Sequence, residues 1–458
     1  MKICVIGTGY VGLVGAAIFA DWGNYVVGVD IDTQKIKRIK KGDMPIYEPG
    51  LSEIVLKSIK DKHLLFTTSI AEGIKDAELV FICVGTPQSD SGAADLSAVW
   101  EVAKEIAHNL KEYKVIVTKS TVPVGTNERI KKIIKENIKS KTSFDVASNP
   151  EFLREGSSVE DMRNTDRTVI GSDSKKALKV LRGLYEHLGK PIVECDLRSA
   201  EMVKYASNAF LATKISFINE IAQLCEKGDA DVSTVAAGMG LDRRIGTAFL
   251  HAGIGYGGSC FPKDVAALYR TSSDQAYDFK LLRGVMEVNK IQHVNFLSKV
   301  TKYFGENLSG KTLACLGLAF KGNTDDIRES VAIEVVKRLR GLGANIRAYD
   351  PAAIPNAKNN LGNTNITYCT DQYEAIKGTD ALFILTEWEQ FTSLDLSKVK
   401  KLMKAPVIFD GRNIFDKHNT ESSGFTYFAV GKRTNGLKHI IQKTADQSYA
   451  VLVNGNGN

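Results

Sequence analysis

The chain has 458 residues, 43% hydrophobic and 25% charged, with 39 glycines and 10 prolines. That composition fits a soluble globular protein of two or three domains and excludes a small stapled module or a fibrous or disordered chain. A formal charge of +7, alternating in sign along helical segments, reads as a solvated surface first and a preference for acidic ligands second.

Seven cysteines, odd in number and without CxxC or Cys/His spacing, indicate neither a disulfide framework nor a metal site. No apolar run approaches about 18 residues, and an apolar strand starts too early for a leader, so a cytoplasmic protein without a membrane partner is expected. No basic motif interleaved with aromatics points to nucleic acid.

Lys2 to Ile6 is rich in β-branched residues and runs into Gly7-Thr8-Gly9-Tyr10-Val11-Gly12, then into a helical pattern from Leu13 to Trp22. Strand, glycine turn and helix in this order fit the dinucleotide fingerprint. Gly7 serves the tight turn, Gly9 the approach of backbone to a pyrophosphate, and Gly12 the close packing of the helix. A second strand, Tyr25 to Val29, ends at Asp30, near the expected ~20 residues past the first glycine. An acid there accepts hydrogen bonds from the adenosine ribose and repels a 2′-phosphate, which favours NAD over NADP. Lys35 lies either over the adenine-ribose end or in solvent.

Strands at Leu79 to Val84 and Val115 to Thr118 lead to Thr86 and to Ser120-Thr121. Ligands bind beyond the carboxyl ends of parallel strands, which places Thr86 and Thr121 beside the nicotinamide half. Val169 to Gly171 and Ile192 to Glu194 close a first domain at residues 1–195. Arg198 to Lys227 reads as one long helix, a domain link or dimer seam. With helical patterns at Asp231 to Gly238 and Asp264 to Val300 it makes residues 196–305 an all-α region. Residues 306–440 repeat the first pattern: strands at Thr312 to Leu316, Asn345 to Tyr349, Ala381 to Thr386 and Val407 to Asp410, and a helix from about Arg328 to Leu342. The turn Gly317-Leu318-Ala319-Phe320 lacks the full glycine set, so this unit is not expected to bind a dinucleotide in the same way. Residues 441–458 are expected to form a flexible tail. The fold class is α/β: an N-terminal Rossmann domain, a central all-α region with a long helix, and a C-terminal Rossmann-like domain.

Residues 253–264, GIGYGGSCFPKD, are the most informative. Pro262 suits the first turn of a helix, which puts Cys260 at its N-terminus, where the macrodipole and Lys263 favour a thiolate. A structural cysteine beside a tight turn is the alternative. Asp264 lies on the same helix face as Cys260. Glu151 and Glu155 are four apart and adjacent if their segment turns helically, or else form an exposed acidic turn. Lys204 and Asn208 are four apart on the long helix, where Lys204 either titrates in apolar surroundings or snorkels to solvent. Phe320, Lys321, Arg328 and Arg412 place cations where a phosphate-bearing ligand could be gripped.

The segments GTGYVG, YEPGL, KSTVPVGT, NPEFLREG, EMVKYASNAFLATKISFINE, GGSCFPKD and AFKGNTDDIRES, in this order, resemble the UDP-glucose/GDP-mannose dehydrogenase family, and within it the members that act on UDP-glucose. The resemblance implies a four-electron oxidation of the sugar C6 alcohol to a carboxylate, with NAD as cofactor. It makes Cys260 the nucleophile of a thiohemiacetal and thioester, Lys204 and Asn208 the stabilisers of oxyanions, and Asp264 and Thr121 the groups that position water. Glu151 then assists hydrolysis, and Glu155 meets both NAD and the reacting centre. Gly7, Gly9, Tyr10, Val11, Gly12, Asp30, Lys35, Thr86, Thr121, Glu155, Lys263 and Arg328 are implied to hold NAD. Glu151, Phe152, Leu153, Lys204, Asn208, Phe249, Tyr256, Gly257, Phe320, Lys321 and Arg412 are implied to hold the sugar nucleotide, with Arg244 contributed across a homodimer built on the long helix. His251, between Phe249 and the glycine loop, has no assigned role. Competing readings are a GDP-mannose 6-dehydrogenase, a two-electron alcohol dehydrogenase with a structural Cys260, and an NAD-binding regulator.

Overall fold

The computed structural model describes residues 1–89 and 91–433. The expected tail and the last residues of the expected third domain lie outside that range. The chain divides into two compact units, Met1–Ala209 with Lys263–Phe279, and Phe210–Pro262 with the residues from Lys280 onward.

The first unit holds eight strands: β1 Lys2–Ile6, β2 Tyr25–Val29, β3 Leu64–Thr67, β4 Leu79–Ile82, β5 Lys114–Thr118, β6 Phe144–Ser148, β7 Thr168–Gly171 and β8 Ile192–Cys195. They form one sheet in the order β3-β2-β1-β4-β5-β6-β7-β8, parallel except where β6 meets β7. The central strands are covered on both faces and are therefore continuous apolar runs: all four residues of β4 and all five of β5 are buried. Lys114, inside that run, is satisfied by donating to the carbonyls of Ala77 at 2.8 Å and Lys75 at 3.3 Å. Neighbours β2 and β4 flank β1, so the chain reverses direction across the sheet there, and a crevice opens at the carboxyl ends. Gly7, Asp30, Thr86, Lys119 and Asn149 all follow directly, or within four residues, the ends of β1, β2, β4, β5 and β6.

The second unit carries six parallel strands, β9 Thr312–Leu316, β10 Asn345–Tyr349, β11 Ile366–Tyr368, β12 Ala381–Ile384, β13 Val407–Asp410 and β14 Thr426–Ala429, ordered β11-β10-β9-β12-β13-β14. Its strand order mirrors that of the first unit around the opening strand. Asp350 stands after β10 as Asp30 stands after β2, but its carboxylate is consumed by main chain. Oδ2 accepts from Leu318 N at 2.7 Å and Ala319 N at 3.1 Å, and Oδ1 from Ala352 N and Ala353 N at 2.9 and 2.8 Å. A ribose would find no unshared acceptor there.

The long helix runs Leu197–Gly228. The expected continuous helical pattern from Asp264 to Val300 is instead two helices, Phe261–Asp274 and Lys280–Phe304. The break is a left-handed C-terminal stop: Ala276 has φ +56°, Tyr277 N reaches back to Ser272 O at 2.9 Å, and Ala276 N to Ser273 O at 2.9 Å. Alanine in place of the usual glycine hides this stop from a reading of composition. The expected helix from Arg328 starts later, at Val331, because Ser330 occupies the cap and Glu329 has φ +49°.

Candidate active site

In the first unit the glycine turn has the shape its sequence predicts. Gly7 has φ +97°, and a Cβ there would lie 2.7 Å from Cys83 O; a Cβ on Gly12 would lie 1.8 Å from Gly7 O. At Gly9 nothing stands within 4 Å of where a Cβ would be. Gly9 caps the Tyr10–Asp21 helix without a side-chain hydrogen bond, leaving the N–H groups of Tyr10 and Val11 without a side-chain cap. This is the cradle a pyrophosphate fits.

Asp30 closes the other side. Its Oδ2 accepts from Thr8 N at 2.9 Å, Thr8 Oγ1 at 2.8 Å and Lys35 Nζ at 2.8 Å, and Oδ1 from Asp32 N at 3.0 Å. Burial pushes this carboxyl up, but Lys35 and the donors of Asp32 and Thr8 outweigh it and hold Asp30 below the usual carboxylate range. Lys35 is therefore an ion-pair partner of Asp30 and not a solvated lysine. Thr86 donates to Thr121 O at 2.9 Å, which joins the turns after β4 and β5. These residues fit NAD.

Beyond β6 the segment at residues 151–154 does not turn helically. Glu151 Oε2 accepts from Leu153 N at 2.5 Å and so closes its own turn, and the side chain faces Lys204, not Glu155. Neither bland alternative holds: Glu151 and Glu155 are 5% and 8% exposed, and Lys204 is 4% exposed. Lys204 Nζ and Glu151 Oε1 form a buried ion pair. Burial pushes Glu151 up, yet Lys204, the Leu153 N–H and Lys119 together hold it below the usual range.

One turn along the long helix, Asn208 donates to Asp264 Oδ2 at 2.6 Å. Lys263, expected beside the thiol or the cofactor, bonds Asp264 Oδ1. Phe152 is flanked by two cations, with Arg167 3.6 Å and Lys204 5.5 Å from its ring centre.

Three residues that sequence reasoning left unassigned organise this unit. Lys119 is buried, donates to Asn149 Oδ1 at 3.1 Å, and has its ammonium pushed down by burial. Tyr185 donates to the same oxygen at 2.6 Å. Glu201 accepts from Gly125 N, Asn127 N and Asn127 Nδ2 at 2.6, 2.8 and 2.7 Å, which ties the turn containing Thr121 to the helix that carries Lys204.

In the second unit, Cys260 immediately precedes the Phe261–Asp274 helix, and its Sγ is 3.7 Å from Ser259 Oγ. Cys4, Cys83, Cys225, Cys315 and Cys369 are buried, as their apolar settings predict. Cys195 is half-buried with its thiol 3.9 Å from Ile170 O.

The glycine loop ahead of Cys260 packs against the turn after β9. Gly258 N donates to Arg328 O at 3.0 Å, and a Cβ on Gly257 would stand 2.1 Å from Glu329 O. Tyr256 is fixed by a reciprocal pair with Asn289, at 2.8 and 3.0 Å, and burial pushes its phenol up to about 12. Phe249, at φ +64°, and Tyr256 both set their rings edge-on to Phe261.

The cations here differ in availability. Arg412 donates to Leu385 O at 2.8 Å, Phe320 O at 2.9 Å and Gly255 O at 3.3 Å, so it braces the loop. Arg328 and Arg244 are exposed and pair with Asp326 and Asp242. Lys321 Nζ lies 5.7 Å from the Phe320 ring centre. His251 Nε2 is 2.9 Å from Arg412 O, a structural tie.

A dinucleotide-binding sheet with a buried acid–lysine pair at its carboxyl edge, followed in sequence by a second parallel α/β unit, defines an NAD-dependent dehydrogenase. The chain belongs to the UDP-glucose/GDP-mannose dehydrogenase family: its NAD-binding domain matches residues 1–189, its central domain residues 198–291 and its UDP-binding domain residues 314–417. UDP-glucose 6-dehydrogenase TuaD of Bacillus subtilis (strain 168) is 50% identical over 431 residues, 94% of this chain and 93% of that protein. UDP-glucose 6-dehydrogenase YwqF of the same strain is 48% identical, covering 94% and 98%. The structure of a UDP-glucose dehydrogenase from the hyperthermophilic archaeon Pyrobaculum islandicum superposes with a TM-score of 0.87 at 37% identity, covering 94% of this chain and 97% of that one.

Proposed function

We propose that this protein oxidises UDP-glucose at C6 to UDP-glucuronate, as an NAD-dependent UDP-glucose 6-dehydrogenase. The buried Lys204–Glu151 pair, one helical turn from Asn208 and its partner Asp264, carries the reading. Buried charged pairs with shifted protonation cluster at functional sites. The substrate follows from the family's UDP-binding domain and from relatives that act on UDP-glucose.

NAD⁺, when bound at the glycine turn, is the electron acceptor for both oxidations. The residues of the chain do the rest. Lys204 donates to the C6 oxygen and relays the hydroxyl proton to the ionised Glu151 carboxylate, 2.9 Å away, as the aldehyde forms, and Glu151 releases it to solvent before hydrolysis. Cys260 Sγ adds to the aldehyde carbon to give a thiohemiacetal, and loss of two further electrons and a proton leaves a thioester on the same sulfur. Lys204 and the Asn208 amide stabilise the oxygen at C6 while it is negative. Water held by Asp264 and Thr121 then attacks the thioester, Glu151 receives its proton, and the C–S bond breaks to return the Cys260 thiol and release a carboxylate.

Glu155 would contact both NAD and the reacting centre, and Arg328 and Lys263 would support NAD. Phe152, Leu153, Tyr256, Gly257 and Phe249 shape the sugar site, and Phe320 and Lys321 line the diphosphate end on a loop that Arg412 braces. The enzyme works as a homodimer in the cytoplasm, with Arg244 reaching the partner's site. Phe210, Phe217 and Leu224 support the dimer, being apolar, seven residues apart on the long helix, and 65%, 48% and 62% exposed. Among the described residues no helix is long and apolar enough to cross a membrane.

Parallel assays with UDP-glucose and GDP-mannose test the reading. Two NADH per UDP-glucose, with GDP-mannose turned over at least a hundredfold more slowly, is the expected result. One NADH per sugar would identify a two-electron alcohol dehydrogenase, and a preference for GDP-mannose the sibling enzyme.

A further inference from the structure

The glycine turn that receives NAD and the turn that carries Glu151 and Glu155 are joined by one side-chain pair. Tyr10, first residue of the Tyr10–Asp21 helix, donates its hydroxyl to Glu48 Oε2. Gly156 N donates to both members of the pair, to Tyr10 Oη at 2.7 Å and to Glu48 Oε2 at 2.7 Å. Ser158 N donates to Glu48 Oε1 at 2.7 Å. Ser157, ahead of the Ser158–Arg163 helix, supplies no side-chain cap, so Glu48 satisfies amides that would otherwise be orphaned. Glu48 is 7% exposed, where hydrogen bonds to a carboxylate are at their strongest. Burial, then Glu48, raises the Tyr10 phenol, which keeps it a donor.

The turn is also braced within itself. Arg154 N donates to Asp161 Oδ2 at 2.8 Å and the Arg154 guanidinium pairs with the same carboxylate, which ties residue 154 to residue 161 through both main chain and side chain. Gly156 has φ +82°, which fixes the direction of its N–H toward Tyr10 and Glu48.

We propose that Tyr10 and Glu48 form a latch that seats the Glu151–Glu155 turn on the glycine turn, so that the proton-handling carboxylates are positioned by the cofactor-binding element itself. Tyr10 and Glu48 are positioning residues. The roles of Glu151 and Glu155 rest on the function proposed above, whereas the latch rests on the hydrogen bonds. The catalytic consequence is that the two carboxylates reach working geometry only while the latch is closed.

Hydrogen exchange of the full chain, with Tyr10→Phe and Glu48→Gln as variants, tests the latch directly. Both variants are expected to raise amide exchange of residues 154–160 at least tenfold while β1 and β4 keep their protection. NADH affinity of Glu48→Gln should change less than threefold, and kcat of both variants should fall at least tenfold. The double variant should lose less than twofold more than either single one, as expected of two groups in one hydrogen-bonded unit. Unchanged exchange of residues 154–160 would overturn the proposal. So would equal loosening of β1 and β4, which marks general destabilisation, or additive losses in the double variant. Inactivity of the unaltered protein toward UDP-glucose would refute the functional reading, and the exchange data would still decide the latch.

Discussion

Lys204 Nζ lies 2.9 Å from Glu151 Oε1, with 4% and 5% of the two side chains exposed. Neither charge has water to fall back on, so each depends on the other. Removing one member of such a pair typically destabilises by about 3 kcal/mol because it leaves an uncompensated buried charge. Lys204→Ala is therefore expected to lower the melting temperature by several degrees, and Lys204→Ala with Glu151→Gln to recover part of that loss. Calorimetry of the single and double variants checks this.

The same pair has a pH signature. The Glu151 carboxyl is held below its ordinary value when folded, so its contribution to stability is fully present above the unfolded pKa of about 4.3. That contribution is lost as pH falls through the lower, folded value. The stability gap between the unaltered protein and Glu151→Gln should be constant from pH 6 to 8 and narrow below about pH 4. Denaturation curves across that range read it.

At the cofactor end, Asp30 joins Thr8 of the glycine turn to Lys35 and is the acid proposed to meet the ribose. Hydrogen bonds to a charged group contribute roughly 1.5–3 kcal/mol. Asp30→Ala is expected to raise the KM for NAD⁺ about tenfold or more and to narrow the preference over NADP⁺. An unchanged NAD⁺/NADP⁺ ratio would remove Asp30 from ribose recognition.

The stripe of Phe210, Phe217 and Leu224 makes the proposed dimer testable without an activity assay. Phe217→Glu places a charge in the middle of the stripe and is expected to shift sedimentation from dimer to monomer at micromolar concentration while far-UV dichroism is unchanged. A dimer that survives the substitution would place the interface elsewhere.

The first sheet was legible because its central strands are uninterrupted apolar runs joined to a glycine turn, a pattern with few other uses. Edge strands β3 and β11 escaped because they are short and half-solvated; in β3 burial alternates along Leu64–Thr67. The end of the Phe261–Asp274 helix escaped because Ala276 does the work usually given to glycine. At the site, residue types and spacing put Lys204, Asn208, Asp264 and Glu151 on one short roster. Which of them touch is a tertiary fact: spacing suggested Glu151 beside Glu155, whereas the chain turns on Leu153 N and delivers Glu151 to Lys204. Glu48 and Glu201 escaped as roles because their partners are backbone amides far along the chain, which no local pattern marks.

The proposed chemistry requires a covalent bond between the substrate carbon and Cys260. Replacing Glu151 with Gln is expected to slow thioester hydrolysis more than the oxidations that precede it. After mixing this variant with UDP-glucose and NAD⁺ and quenching in acid, mass spectrometry of the peptide containing Cys260 should show the added mass of a UDP-glucuronyl group. A peptide that stays unmodified while two NADH per sugar are still produced would contradict the mechanism.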